Sequence, residues 1–260
     1  MRIFRLAGWL GLGSLLVLVS LSDFLAHAPA DTRDAGPALS PPSHLYPFGT
    51  DVLGRDVMSE ALHALSLTMS HVLLGSVVAL VFSAFAGMVA ARLPLLLRGP
   101  LRWAVGIMAA LPALLLAMLF VGLASRASAD IAAGLAVAPL GFARAFDAVR
   151  AQDRTRHAAF ARATGISAMV LLRRDLVTDY RRNFLTLAAR AFFGVTIAFS
   201  SLSFLGFGTV PPHRDLGLVI AAARTSYLTA WWTALFPALA LLLLILCARL
   251  AGGAEESTAP

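Results

Sequence analysis

Apolar stretches recur along this chain, each long enough to cross a lipid bilayer, and they restrict the polypeptide to a bundle of membrane helices. A helical span needs roughly 20 mostly apolar residues. Spans are expected at about 7–25, 68–91, 103–124, 130–146, 184–206 and 229–249. The fourth is the weakest, because its apolar part, residues 131–143, is short and interrupted by Pro139. It holds only if Asp130 and Arg144 sit at the interfaces or snorkel, and a five-span count is the alternative. With 59% hydrophobic and 13% charged residues, the chain has too little polar surface to clothe a soluble globule. The expected fold is therefore all-α, a polytopic transmembrane helical bundle of about six spans.

One polar stretch interrupts the apolar pattern. Arg144, Arg150, Arg154, Arg156, Arg162, Arg173, Arg174, Arg181 and Arg182 face only Asp147, Asp153, Asp175 and Asp179. Basic loops stay on the cytosolic side, so this stretch sets the orientation. A cytosolic N-terminus also places Arg2, Arg5, Arg92, Arg98, Arg102 and Arg249 inside, leaving Arg33, Arg55, Arg126, Arg214 and Arg224 outside. The outside then gathers Asp31, Asp34, Asp51, Asp56, Glu60, Asp130 and Asp215. Arg2, Arg5 and the small-residue pattern Ala26-His27-Ala28 also fit a secretory signal peptide, so cleavage of the first span is a second reading. The net charge of +7 resides beside apolar spans and not in a nucleic-acid module, so the expected contact is membrane lipid and not nucleic acid.

Chemistry is largely excluded. All 21 basic residues are arginine, whereas a P-loop needs a lysine on the nucleotide phosphates. The chain is not expected to be an enzyme, and no catalytic residue or metal ligand is assigned. Cys247 is alone and suits a small core hydrophobe. The second, third and fifth spans contain no Asp or Glu, which disfavours an ion-coupled carrier. Within them, His71 reads as an interfacial polar residue with nothing ionisable beside it, and Arg190 as a side chain that snorkels. Asp56, Glu60 and His63 stand at helical spacing and form the best acid-base or metal candidate, against the plainer reading of a solvated helix face. Ser200, Ser201 and Ser203 lack a nearby histidine to activate them.

Packing leaves a clearer mark. Gly75, Ala79, Ser83, Gly87 and Ala91 recur every fourth residue in the second span, and Gly194, Ala198 and Ser201 repeat the pattern more thinly in the fifth. Small residues at that period let helix backbones approach closely in lipid, so a tight bundle or dimer contact is expected.

Two segments carry a family resemblance. The external run Pro47-Phe48-Gly49-Thr50-Asp51-Val52-Leu53-Gly54-Arg55-Asp56-Val57-Met58-Ser59 resembles the signature of permease subunits of dipeptide/oligopeptide/nickel ABC importers. Ser203-Phe204-Leu205-Gly206-Phe207-Gly208, followed by Pro211-Pro212, is similar to the segment that ends the fifth span in that family. Leu140 to Arg144 and Ala161 to Gly165 fall where the family has its fourth-span exit and its cytosolic "E-A-A" loop, so the resemblance is collinear over about residues 45–250.

The resemblance implies a multi-pass permease of the bacterial inner membrane with a type I importer fold. It forms half of a path for peptides or related small solutes. The implied partners are a second homologous permease, two ATP-binding subunits that hold ATP and Mg, and an extracytoplasmic solute-binding protein; no cofactor belongs to this chain. The domains so implied are an N-terminal transmembrane helix or signal-like anchor at 1–27, an external linker and amphipathic segment at 28–66, a permease core at 67–250 and a tail at 251–260. The coupling loop is 147–183, with Arg156, Ala159, Phe160, Ala161, Arg162, Gly165 and Arg174 as contact candidates. Ala159 stands where the family has its loop glutamate, and Phe160 where it has an alanine. Gly49, Thr50, Asp51, Gly54, Arg55 and Asp56 are assigned a structural role outside, steadied by an exposed Arg55–Asp51 ion pair. Gly75, Ala79, Ser83, Gly87, Gly194, Ser200, Ser203, Phe204 and Gly206 are assigned to helix packing or the path. A degenerate or scaffold subunit is the alternative function, and an ion-coupled secondary carrier a more distant one.

Overall fold

The computed structural model describes residues 2–22, 36–123, 129–153 and 181–253. In chain order its α-helices are α1 (Arg2–Ser20), α2 (Val57–Arg92), α3 (Leu95–Ala110), α4 (Ala113–Leu123), α5 (Ala129–Asp153), α6 (Arg181–Phe204), α7 (Leu216–Ala222) and α8 (Trp232–Gly252). Among the described residues, five helices are long and apolar enough to cross a membrane, and the bent pair α3–α4 makes a sixth if counted as one span. The described residues form a helical, multi-pass membrane protein.

α2 is the spine. It starts where Asp56 caps it, continues unbroken through residue 66, and packs most extensively on α5 and then α6. Val72, Val195, Phe199, Leu202, Leu216 and Leu244 fill the shared core and are almost fully buried. α1 lies along α8, where Gly8 meets the Ala251 backbone and Gly11 meets the Cys247 sulfur.

Two expectations about the spans change. The third span, expected as one stretch over 103–124, bends by 105° between α3 and α4. Pro112 removes a backbone donor and forces Leu111 out of the helical region, to φ −77 and ψ 143. α3 buries none of its residues and lies on the outside of the bundle. The fourth span, expected to be marginal, is a 25-residue helix, α5, most of whose apolar part is buried within the bundle. Its many small residues allow a close approach that its modest hydropathy hides, and Pro139 is accommodated within it.

The bundle has a basic and an acidic end. Arg5 donates to Thr186 Oγ1 at 2.5 Å, and Arg92, Arg98, Arg102, Arg144, Arg150 and Arg249 belong to helix segments at that same end. The opposite end carries Asp51, Asp56, Glu60, Asp130 and Asp215 among the described residues, with Arg55, Arg214 and Arg224.

Candidate functional site

At the acidic end, residues 36–56 fold into a cap over the start of α8. Asp51 turns the chain: its Oδ1 accepts from the Leu53 and Arg55 amides at 2.7 and 2.8 Å. Such side-chain turns are a standing use of Asp. Gly54 follows at φ +69 and Gly49 precedes at φ +73, conformations that glycine adopts without steric cost. A Cβ on Gly49 would also stand 2.6 Å from both the Ser40 carbonyl oxygen and Trp232 Nε1. The indole donates to the Thr50 carbonyl at 3.1 Å, and Phe48 stacks on Phe236 with ring centroids 4.1 Å apart. Thr50 Oγ1 donates to Pro37 O at 2.5 Å and accepts from the Ser40 amide at 2.8 Å. Asp56 then caps α2, accepting from the Met58 and Ser59 amides and from Ser59 Oγ at 2.6 Å.

Arg55 does not pair with Asp51, and it is not exposed. The Asp51 carboxylate is engaged by backbone amides, and Arg55, 7% exposed, places Nη1 3.6 Å from Glu60 Oε1. Arg214 donates to the same Glu60 carboxylate. The arginine–glutamate–arginine cluster ties the cap and α2 to the segment preceding α7. This corrects the helical-face reading of Asp56, Glu60 and His63: the first is a cap, the second a buried ion-pair partner, and His63 Nδ1 lies 2.7 Å from the Ser59 carbonyl. Among the described residues no group of three or more His, Cys, Asp or Glu is placed to hold a metal.

The second motif closes the same end. α6 terminates at Gly206, whose φ of +87 lets the Phe207 amide reach back to Leu202 O at 2.9 Å. Asp215, fully buried, accepts from Ser203 Oγ and Thr209 Oγ1, each at 2.6 Å, and caps α7 through the Leu218 amide. The Leu216 amide donates to Thr68 Oγ1 of α2 at 3.0 Å. Gly217 is required by closeness, since a Cβ there would lie 2.5 Å from Ser200 O. Phe204 lies under Arg224, whose guanidinium carbon is 4.5 Å from the ring centroid and which also donates to the Phe204 carbonyl at 3.0 Å. Ser200 lines a 390 Å³ cavity together with Ser201, Phe204 and Gly217.

The small-residue face of α2 turns inward, against α5 of the same chain. A Cβ on Gly75 would meet Asp130 O at 2.6 Å, and one on Gly87 would meet Phe142 O at 2.7 Å. Gly134 faces Gly75, Gly141 faces Ser83, and Gly194 of α6 faces Val137. Ala79 and Ala91 are buried alongside.

His71 has an ionisable neighbour after all. Its Nδ1 lies 3.1 Å from Asp130 Oδ2, and its ring stacks on Phe199 at 5.1 Å. Asp130 is 5% exposed and occupies the first turn of α5, where a carboxylate complements the helix dipole.

Sequence reasoning missed the roles of Asp215, Arg214, Trp232, Thr68 and Asp130. Of these only Asp215 carried a local signal, an Asp directly before an apolar helical stretch. The coupling-loop candidates Arg156, Ala159, Phe160, Ala161, Arg162, Gly165 and Arg174 lie outside the described residues.

Fold and site together define a helical membrane bundle with a motif-built cap at one end and an arginine-rich end opposite. Comparison with known proteins finds it similar to transport permeases. The chain is 28% identical over 222 residues to the di/tripeptide transport system permease protein DppC of Pseudomonas aeruginosa, covering 82% of this chain and 73% of the relative. It is 28% identical over 234 residues to the oligopeptide transport system permease protein OppC of Mycobacterium tuberculosis, covering 85% and 78%. It is also 28% identical over 246 residues to the peptide transport system permease protein SapC of Haemophilus influenzae, covering 90% and 82%. No family model matches the chain. The resemblance read from the two motifs is thus matched by similarity to peptide transport permeases along most of the chain.

Proposed function

We propose that this chain is a permease subunit of an ATP-driven importer of peptides or related small solutes in the bacterial inner membrane. The observation that carries the reading is the collinear similarity to peptide transport permeases, which includes the segments that build the cap. The N-terminus and the basic end face the cytosol, where arginine is retained. The loop at 147–183 leaves from that end and docks on a separate ATPase, since a chain without lysine lacks the P-loop side chain for its own phosphate chemistry. Two ATP-binding subunits hold ATP and Mg, a second homologous permease completes the path, and an extracytoplasmic solute-binding protein delivers the solute.

The test is co-purification and uptake. Solubilised chain is expected to retain an ATPase subunit, and Gly165→Pro together with Arg162→Glu is expected to release it and abolish ATP-dependent peptide uptake. Full uptake by that double variant, with no ATPase retained by either protein, contradicts the proposal. An ion-coupled carrier is the second reading, and the His71–Asp130 pair is the observation in its favour. It predicts uptake that collapses with a protonophore while ATP is held constant; the importer reading predicts uptake that persists.

A further inference from the structure

A 380 Å³ cavity opens between α2, α5, α6 and α8 toward the basic end, and three arginines from three helices converge on it: Arg144, Arg190 and Arg249. The cavity has a graded lining. Leu80, Val137 and Leu140 supply apolar lining, and Arg144, Arg190 and Arg249 lie nearer the basic ends of their helices. Backbone carbonyls at the end of α8 hold two of the heads in place: Arg190 Nε donates to Gly252 O at 3.2 Å, and Arg249 Nη1 donates to Gly253 O at 3.0 Å. Among the described residues no acidic side chain lines the cavity.

We infer that this cavity binds an anionic phospholipid, its phosphate held by the arginine triad and one acyl chain laid along the apolar wall. Arginine pairs with phosphate oxygens in a fork that a single ammonium cannot match. Basic pockets between membrane helices at the headgroup level are the sites where lipid headgroups are selected. General attraction of basic residues to the membrane surface does not require them to meet at one cavity. Space for a single chain beneath the charge is what a phospholipid needs and a free ion does not. The inference rests on the membrane-embedded fold and is independent of the transport reading.

The test is native mass spectrometry of the full chain, purified in detergent with whatever partners it retains, after exposure to equal amounts of phosphatidylglycerol and phosphatidylcholine. The expected result is a preference of about tenfold or more for phosphatidylglycerol. Arg144→Gln with Arg249→Gln is expected to abolish that preference; both residues are exposed, and an unchanged helical circular dichroism spectrum verifies the fold. Arg98→Gln with Arg102→Gln, at the same end but off the cavity, is expected to keep it. Equal binding of the two lipids, or equal loss of preference in both double variants, overturns the inference. Inorganic phosphate that displaces phosphatidylglycerol from the intact chain would show a site for a free oxyanion and would equally overturn it.

Discussion

Replacing Gly134 by alanine probes the closest glycine contact between α2 and α5. An added Cβ would lie 2.3 Å from the Gly75 carbonyl oxygen, so reaching an ordinary 3.4 Å separation requires α2 and α5 to part locally by about 1.1 Å (3.4 − 2.3). The obstructing atom is backbone, and no rotamer change relieves it. On the other side Gly75 is pressed against Asp130 O, so the helices cannot slide past one another cheaply. Overpacking of this kind costs about 1–3 kcal/mol. Alanine returns about 0.5–1 kcal/mol through helix propensity, which leaves a net loss of about 0–2.5 kcal/mol and a deficit of about 1–3 kcal/mol against a control that gains the same propensity without the clash. The assay is reversible unfolding of purified protein in dodecyl maltoside by titrated dodecyl sulfate, followed by circular dichroism. Gly13→Ala, on α1 with nothing within 4 Å of the added methyl, is the matched control and is expected to be neutral or slightly stabilising. If Gly134→Ala proves as stable as its control, the close backbone approach of α2 and α5 is wrong.

Other substitutions test the acidic end by the same titration. Glu60→Gln leaves Arg55 and Arg214 without the anion between them and is expected to destabilise by about 3–5 kcal/mol, as removal of one partner from a buried ion pair does; a loss below about 1 kcal/mol means the cluster is solvated. Asp215→Asn weakens the charge-assisted bonds from Ser203 and Thr209 and is expected to cost about 1.5–3 kcal/mol. A smaller effect than that of Asp56→Ala contradicts the ranking, because loss of the Asp56 cap alone is expected to cost about 1 kcal/mol.

Much of the fold was legible because its determinants are local. Bilayer thickness selects the apolar runs, and the period-four glycines and small residues of α2 announce a face that must meet another backbone. That the partner is α5 was not readable, since Ala-rich helices advertise little hydrophobicity. The turn at Leu111–Pro112 had a visible cause in its proline, yet proline is common enough in membrane helices that a 105° bend could not be told from a mild kink. The cap motif was legible as a unit, but the partner of Arg55 was not. Asp51 is the nearer acid in sequence, yet its carboxylate is consumed by the turn, while Arg214 lies 154 positions from the Glu60 it shares. His71 and Asp130, 59 residues apart, escaped for the same reason.

Orientation decides the rest, and labelling measures it directly. In a Cys247→Ala background, a cysteine at Gly165 is expected to react with a membrane-impermeant maleimide only after cells are permeabilised, whereas one at the exposed Val52 of the cap is expected to react in intact spheroplasts. Labelling of position 165 from outside, with position 52 protected, would contradict a cytosolic arginine-rich loop and with it the proposed docking of an ATPase.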